Sequence, residues 1–176
     1  DLQRATGHGF GLFHLPFYYP PLWPRCPVTV FIHDVLVLEH PEWFPHAWAS
    51  PMRWLGPRGA QRAAAVLTSS LAVAHSIAER CRVPRQAIHV TGLAVDHRRF
   101  APPSEDKVRD TRARLAVLRP FVLQLGALEP RRGVDLAIAA VRALRRRLPD
   151  LELILVGDIR ARVADLDHPP GWVHRL

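Results

Sequence analysis

The segment at residues 126–133 (GALEPRRG) contains the residue types that best suit anion binding. It follows an apolar run typical of a strand and precedes an amphipathic run typical of a helix. A glycine at the end of a strand, here Gly126, lets a ligand approach the backbone, and the first turn of a helix offers free amides. Arg131 and Arg132 can neutralise a diphosphate. A solvated loop with two surface arginines is an equally good interpretation of this segment alone, since it matches neither GxGxxG nor a P-loop.

A histidine and an aspartate, His33 and Asp34, directly follow an apolar run at residues 28–32 (VTVFI), which is predicted to be a buried strand. Ligands of open α/β sheets gather at the carboxyl ends of the strands. At that position a histidine can donate to a substrate oxygen, and a neighbouring carboxylate can orient or polarise it. A pair of this kind more often closes a turn, so it indicates catalysis only together with other signals.

The remaining histidines and acidic residues do not have the spacing of a zinc site such as HExxH. Cys26 and Cys81 form no CxxC, and so few thiols favour a reducing compartment. The absence of GxSxG disfavours an α/β-hydrolase. The sequence therefore predicts no bound metal. The histidines and acidic residues that lack metal-ligand spacing are His14, His40, His46, Asp96, His97 and Glu129.

The composition predicts a soluble, basic protein with a buried core. Of the 176 residues, 48% are hydrophobic. There is no run of 18 apolar residues and no signal-like start. The 24 basic and 16 acidic residues give a formal charge of +8, with Lys107 as the only lysine. Such a charge attracts nucleotides, acidic headgroups or nucleic acid without distinguishing among them.

Short β-rich runs alternate with helical runs, which predicts parallel strands joined by crossover helices. Two aromatic and proline-rich segments, residues 10–27 and 41–57, are predicted not to form long regular helices. Residues 92–104, with Pro102 and Pro103, are predicted to connect two domains. The predicted strands are 28–32, 66–68, 87–91, 121–125 and 151–156. The predicted helices are 59–65, 71–81 with Ser69 or Ser70 as its cap, 105–115, and 134–148.

Four phrases in order resemble glycosyltransferase family 4, also called group 1, whose members are retaining enzymes of the two-domain GT-B fold. They are residues 33–45 (HDVLVLEHPEWFP), 66–70 (VLTSS), 88–96 (IHVTGLAVD) and 121–133 (FVLQLGALEPRRG). The resemblance implies an α/β chain with two Rossmann-like parallel-sheet domains, each partly present. Residues 1–98 would belong to the acceptor-side domain, 99–118 to the linker and its lead-in helix, and 119–176 to the donor-binding domain.

The resemblance also implies a chemistry. His33 would lie beside the transferred sugar with Asp34 next to it, and Gly126, Arg131 and Arg132 would hold the diphosphate of a UDP- or GDP-sugar. The sugar would pass with retention to a carbohydrate or lipid-linked acceptor that enters from the first domain. No cofactor and no metal would be needed, because the protein stabilises the leaving diphosphate.

The chain departs from the family pattern in several places. Arg132 stands where the family usually has Lys, and Gly92 and Ala94 stand where a PxGVD-like phrase often has Pro and Gly. The family's later pair of glutamates and its N-terminal glycine-rich loop have no match. We therefore expect an internal fragment with little activity of its own.

Two rival interpretations stay open. The charge of +8 and the arginines at 142 and 145–147 are also typical of a noncatalytic module that binds nucleotides or polyanions. A structural remnant with exposed sheet edges is the other. Under the enzyme hypothesis we expect a cytoplasmic protein that binds no nucleic acid. Its Trp-rich loops slightly favour contact with the inner face of a membrane.

Overall fold

The computed structural model describes residues 11–16 and 26–176. Two compact units, Asp1–Asp96 and His97–Leu176, divide the chain. Each unit is built on its own parallel sheet. The predicted α/β class is therefore confirmed.

The first unit contains a four-stranded parallel sheet in the order β1-β2-β3-β4. Its strands are β1 (Phe13–Leu15), β2 (Val28–Phe31), β3 (Ala65–Thr68) and β4 (Ile88–Val90). Valines of β2 and β3 are buried on the sheet, as a parallel sheet covered by helices requires. Sequence patterning identified all of these strands except β1, which lies within the proline-rich segment at residues 10–27. The rest of the proline-rich segment around β1, residues 10 and 17–25, lies outside the described residues.

Among its described residues, the first unit has the helices α1 (Leu36–Glu39), α2 (His46–Arg62) and α3 (Leu71–Cys81). The predicted bounds of α3 are confirmed, and Ser70 caps it by accepting from the Val73 amide at 3.3 Å. One face of α3 contains the buried residues Ala74, Ile77 and Cys81.

The prediction that residues 41–57 form no long regular helix was wrong, and the helix predicted at 59–65 is the last part of a longer helix that ends at Arg62. A 3-10 turn, Pro41–Trp43, is followed by the 17-residue helix α2, which continues through Pro51 and Pro57. A proline inside a helix removes a hydrogen bond and costs about 3 kcal/mol. Burial of one face of α2 offsets this cost, because small and apolar residues recur along it at helical spacing. These buried residues are Ala49, Met52, Gly56, Gly59 and Ala60.

The second unit contains a three-stranded parallel sheet in the order β5-β6-β7. Its strands are β5 (Phe121–Leu125), β6 (Glu152–Val156) and β7 (Val173–Arg175), and its helices are α4 (Glu105–Arg114) and α5 (Val134–Leu144). Helix α5 covers one face of the sheet. The core there consists chiefly of Leu128, Val134, Ile138, Val141, Leu153 and Leu155. The short strand β7 was not predicted.

Helix α5 ends at Leu144 and not at the predicted residue 148. Pro149 disfavours helical backbone in the residue before it. The Arg145 side chain turns back, donates to the Leu151 carbonyl and lies over the Trp172 ring. Leu144 and Leu148 are 46% and 55% exposed.

Within the described ranges, none of the helices combines the length and the apolar character that crossing a membrane requires.

Candidate functional site

The loops that follow β5 and β6 run side by side through two glycines. The Gly126 amide donates to the Val156 carbonyl at 2.9 Å, and the Leu128 amide donates to the Asp158 carbonyl at 2.8 Å. Gly126 and Gly157 have φ angles of 126° and 147°, values that side chains with a Cβ rarely adopt. A Cβ at Gly157 would lie 2.0 Å from the Gly126 carbonyl oxygen. Glycine at position 157 therefore lets the two loops approach each other at the carboxyl edge of the sheet, and glycine at position 126 allows the positive φ of that loop.

The loop after β5 leads directly into the start of α5. Its 3-10 turn, Pro130–Arg132, is followed by Gly133. This glycine has a φ of 67° and is the N-cap residue of α5. No side chain caps the first amides of α5. Free amides and the positive end of the helix dipole together favour an anion at this place.

A single carboxylate lies between the two arginines of this loop. Glu129 Oε1 lies 2.7 Å from Arg131 Nη2 and 3.8 Å from Arg132 Nε. The side chain of Arg132 is 55% exposed and that of Arg131 is 22% exposed. Gly126, Arg131 and Arg132 are therefore brought together on one loop, with Arg132 the more open to a ligand.

His33 and Asp34 lie in the first unit, just past the end of β2. The Leu36 amide donates to Asp34 Oδ1 at 3.0 Å, so this carboxylate fixes the chain at the start of α1. His33 is exposed, and its ring lies 4.6 Å from that of Phe31, measured between centroids. The pair thus has two separate functions: Asp34 holds the turn, and His33 presents its imidazole at the sheet edge.

The phrase HPEWFP forms a compact turn after α1. The rings of His40 and Trp43 stack with centroids 3.9 Å apart, and His40 Nδ1 lies 3.1 Å from Glu42 Oε1. The pKa of the Glu42 carboxyl is lowered from its ordinary value, chiefly by a hydrogen bond from its own backbone and less by His40, while desolvation opposes both. These local contacts give the segment a defined shape without placing it in a catalytic role.

The described part of the chain contains no group of three or more His, Cys, Asp or Glu residues that could hold a metal ion.

The end of β2 depends on one buried hydrogen bond, from Thr68 Oγ1 to the Ile32 carbonyl at 2.8 Å. Replacing Thr68→Val keeps the shape but leaves this buried carbonyl without its side-chain donor. We expect the free energy of unfolding to fall by about 1–3 kcal/mol in chemical denaturation. The matched control is Thr29→Val, because the Thr29 hydroxyl contacts His14 at an exposed position. An equal loss in both variants would contradict this assignment.

No protein-family model matches the chain. One curated relative is the alpha-D-kanosaminyltransferase of Streptomyces kanamyceticus, with 30% identity over an alignment of 159 residues that covers 82% of this chain and 39% of that protein. Another is the GDP-mannose-dependent alpha-(1-6)-phosphatidylinositol monomannoside mannosyltransferase of Mycolicibacterium smegmatis, with 39% identity over 74 residues, 42% of this chain and 19% of the relative. The chain thus spans about two fifths or less of the length of these relatives.

Solved structures of other proteins match the fold of this chain. Anabaena HepE in complex with UDP-glucose matches with a TM-score of 0.64 and 22% identity, over 86% of this chain and 42% of that one. A glycosyltransferase from Rickettsia africae matches with a TM-score of 0.65 and 16% identity, over 99% of this chain and 48% of that one. The chain therefore has the α/β GT-B fold predicted from its sequence, and its curated relatives are glycosyltransferases.

Proposed function

We propose that this chain provides the donor-binding loop and the acceptor-side sheet edge of a family 4 glycosyltransferase that uses a nucleoside diphosphate sugar. The observation that carries the proposal is the loop at residues 126–133, in which two arginines and an uncapped helix start lie at the carboxyl edge of a parallel sheet. Among the similar proteins, HepE is solved with UDP-glucose, and the mycobacterial relative is named as dependent on GDP-mannose.

The proposed chemistry follows from charge. When the bond between the sugar and the diphosphate breaks, negative charge grows on the leaving phosphate oxygens. Arg132, Arg131 and the first amides of α5 would stabilise that charge most strongly in the transition state, which is what lowers a barrier. Gly126 has no Cβ, so its backbone would stay open where the donor approaches, and its φ of 126° is one that glycine adopts readily.

The first unit would supply the sugar side of the reaction. His33, exposed at the end of β2, is suited to donate a hydrogen bond to a hydroxyl of the transferred sugar. Asp34, which accepts from the Leu36 amide, would hold the backbone that presents this imidazole. We propose that transfer proceeds with retention of the anomeric configuration, without a metal ion, and to a carbohydrate or lipid-linked acceptor.

The rival interpretation as a polyanion-binding module draws on the four arginines near the end of α5. Two of them are engaged within the unit: Arg145 donates to the Leu151 carbonyl, and Arg142 Nη2 lies 3.9 Å from Asp165 Oδ1. Two of the four positive charges thus already have partners within this unit. The loop at residues 126–133 offers an anion better geometry, so the enzyme proposal is favoured.

The outer face of α2 is suited to a membrane surface. Trp54 is 51% exposed, and the Arg58 guanidinium lies 4.2 Å from its ring centroid. Aromatic and basic side chains together favour the interface of an anionic bilayer. We therefore propose that α2 contacts the inner face of the membrane on which a lipid-linked acceptor would lie.

This contact predicts a lipid-dependent result. In sedimentation with phosphatidylglycerol vesicles, we expect Trp54→Ala to bind several times more weakly than the unmodified chain. Leu71→Ala, which removes an exposed apolar side chain from α3, serves as the control and should bind normally. Equal binding by all three, or equal binding to phosphatidylcholine vesicles, would contradict membrane contact through α2.

The donor proposal is tested by isothermal titration of UDP-glucose, GDP-mannose and UMP into the chain in buffer that contains EDTA. We expect at least one diphosphate sugar to bind and UMP to bind more weakly, since a single phosphate offers fewer oxygens to the arginines. Binding of nucleic acid that falls steeply with salt, with no binding of either sugar nucleotide, would favour the rival module.

A further inference from the structure

Glu129 is the acidic residue of the loop at residues 126–133, beside its two arginines. Its side chain is only 13% exposed, and the same oxygen, Oε1, faces both guanidinium groups. A carboxylate withdrawn from water needs a cationic partner, and removal of that partner is costly. Glu129 and Arg131, at 2.7 Å, form the closer pair.

The backbone around Arg132 is held in the same region. The Arg132 amide donates to the Glu129 carbonyl at 3.0 Å, and Gln124 Nε2 donates to the Arg132 carbonyl at 3.0 Å. Glu129 therefore contacts Arg132 through both its backbone and its side chain. Glu129 and Gln124 thus hold the backbone of Arg132, and the Glu129 carboxylate faces its guanidinium.

A guanidinium has five N–H donors, so the ion pair with Glu129 leaves other donors of Arg132, the more exposed arginine, for a ligand. Long side chains lose rotamer freedom when they bind, and that cost weakens affinity. A carboxylate that holds the two arginines in the unbound protein removes part of this cost in advance.

We infer that Glu129 is a positioning residue for the donor diphosphate and acts through Arg131 and Arg132. The inference rests on the proposed function of this loop. The inferred effect of Glu129 on donor affinity is opposite in direction to the effect that simple electrostatics predicts. As a bare negative charge beside an anion, Glu129 would weaken donor binding, whereas as a positioning residue it strengthens it.

The test compares three charge-removing variants by titration with UDP. Glu129→Gln is expected to weaken UDP binding roughly tenfold, the scale of one charged hydrogen bond. Asp110→Asn, on the exposed surface of α4, should leave affinity unchanged. Asp135→Asn, in the first turn of α5, removes a carboxylate near the same amides and should tighten binding. UDP binding by Glu129→Gln that equals or exceeds that of the unmodified chain would overturn the inference.

Glu129→Asp provides a variant that keeps the charge and shortens the reach by one methylene. It should also lose UDP affinity, because the shorter carboxylate cannot hold Arg131 at the same distance. Normal affinity in this variant would contradict positioning through contact.

NMR signals of the arginine side chains separate this inference from the proposed function. In the ligand-free chain, the Arg131 guanidinium should rotate slowly, and Glu129→Gln should make it rotate freely. UDP binding with identical Arg131 signals in both proteins would overturn the positioning role alone. Altered Arg131 signals in a chain that binds no UDP would overturn the donor-site proposal and reduce the ion pair to a structural contact.

Discussion

Replacing Gly157 by alanine is expected to cost the second unit about 3 kcal/mol or more of its free energy of unfolding. The added Cβ would lie 2.0 Å from the Gly126 carbonyl oxygen and 2.7 Å from its carbon, both backbone atoms. The φ of 147° is strained for alanine in any case. Strained backbone and overpacking each cost about 1–3 kcal/mol. To relieve the clash, either the second unit unfolds more readily or the loop at residues 126–133 moves away from position 157.

Chemical denaturation followed through the NMR signal of the Trp172 indole measures this loss within the second unit. Gly171→Ala is the matched control, because a Cβ there meets nothing within 4 Å. We expect that variant to stay within about 1 kcal/mol of the unmodified protein. Equal stability of the Gly157 and Gly171 variants would show that the loops after β5 and β6 are farther apart than described.

The second large effect is expected from replacing Arg131 and Arg132 together by alanine. The loss of charged hydrogen bonds to a diphosphate costs about 1.5–3 kcal/mol, which weakens donor affinity by at least tenfold. The substitution also leaves the Glu129 carboxylate without its two partners, so its repulsion of the donor adds to the loss. Calorimetry with the best-binding sugar nucleotide measures the change.

The control for this variant is Arg146→Ala with Arg147→Ala, which removes the same charge from the exposed turn after α5. Its effect on donor affinity should be small, because exposed charges farther than about 10 Å from a ligand are screened by salt. A larger loss in the control than in the loop variant would move the anion site to the end of α5 and support the polyanion-binding module.

Strong local patterns made much of the fold predictable. The serine before an alanine-rich run gave the start of α3, and the apolar run FVLQL gave β5, because both signals lie within a few residues. Helix α2 was missed, because Pro51 and Pro57 outweighed the helical recurrence of small residues that pack against its neighbours. Strands β1 and β7 have three residues each and acquire their identity from pairing with other strands.

Part of the candidate site was likewise predictable from local sequence, and part of it depends on the folded structure. Spacing alone put Gly126 and the two arginines on one loop between a strand and a helix. The ion pairs of Glu129 were not predictable, since the sequence shows an acidic residue there without showing that its side chain is withdrawn from water. Gly157 and Gly126 lie in the loops after β6 and β5, and these loops come together only when the sheet has folded.

The most direct test of the central claim, that the loop at residues 126–133 and the start of α5 bind the donor diphosphate, is a map of backbone amide shifts during titration with UDP. We expect the largest shifts at the amides of Gly126, Gly133 and the first turn of α5, and smaller shifts of the same amides with UMP. Shifts confined to the arginine-rich turn after α5, or the absence of any shift in the loop at saturating UDP, would contradict it.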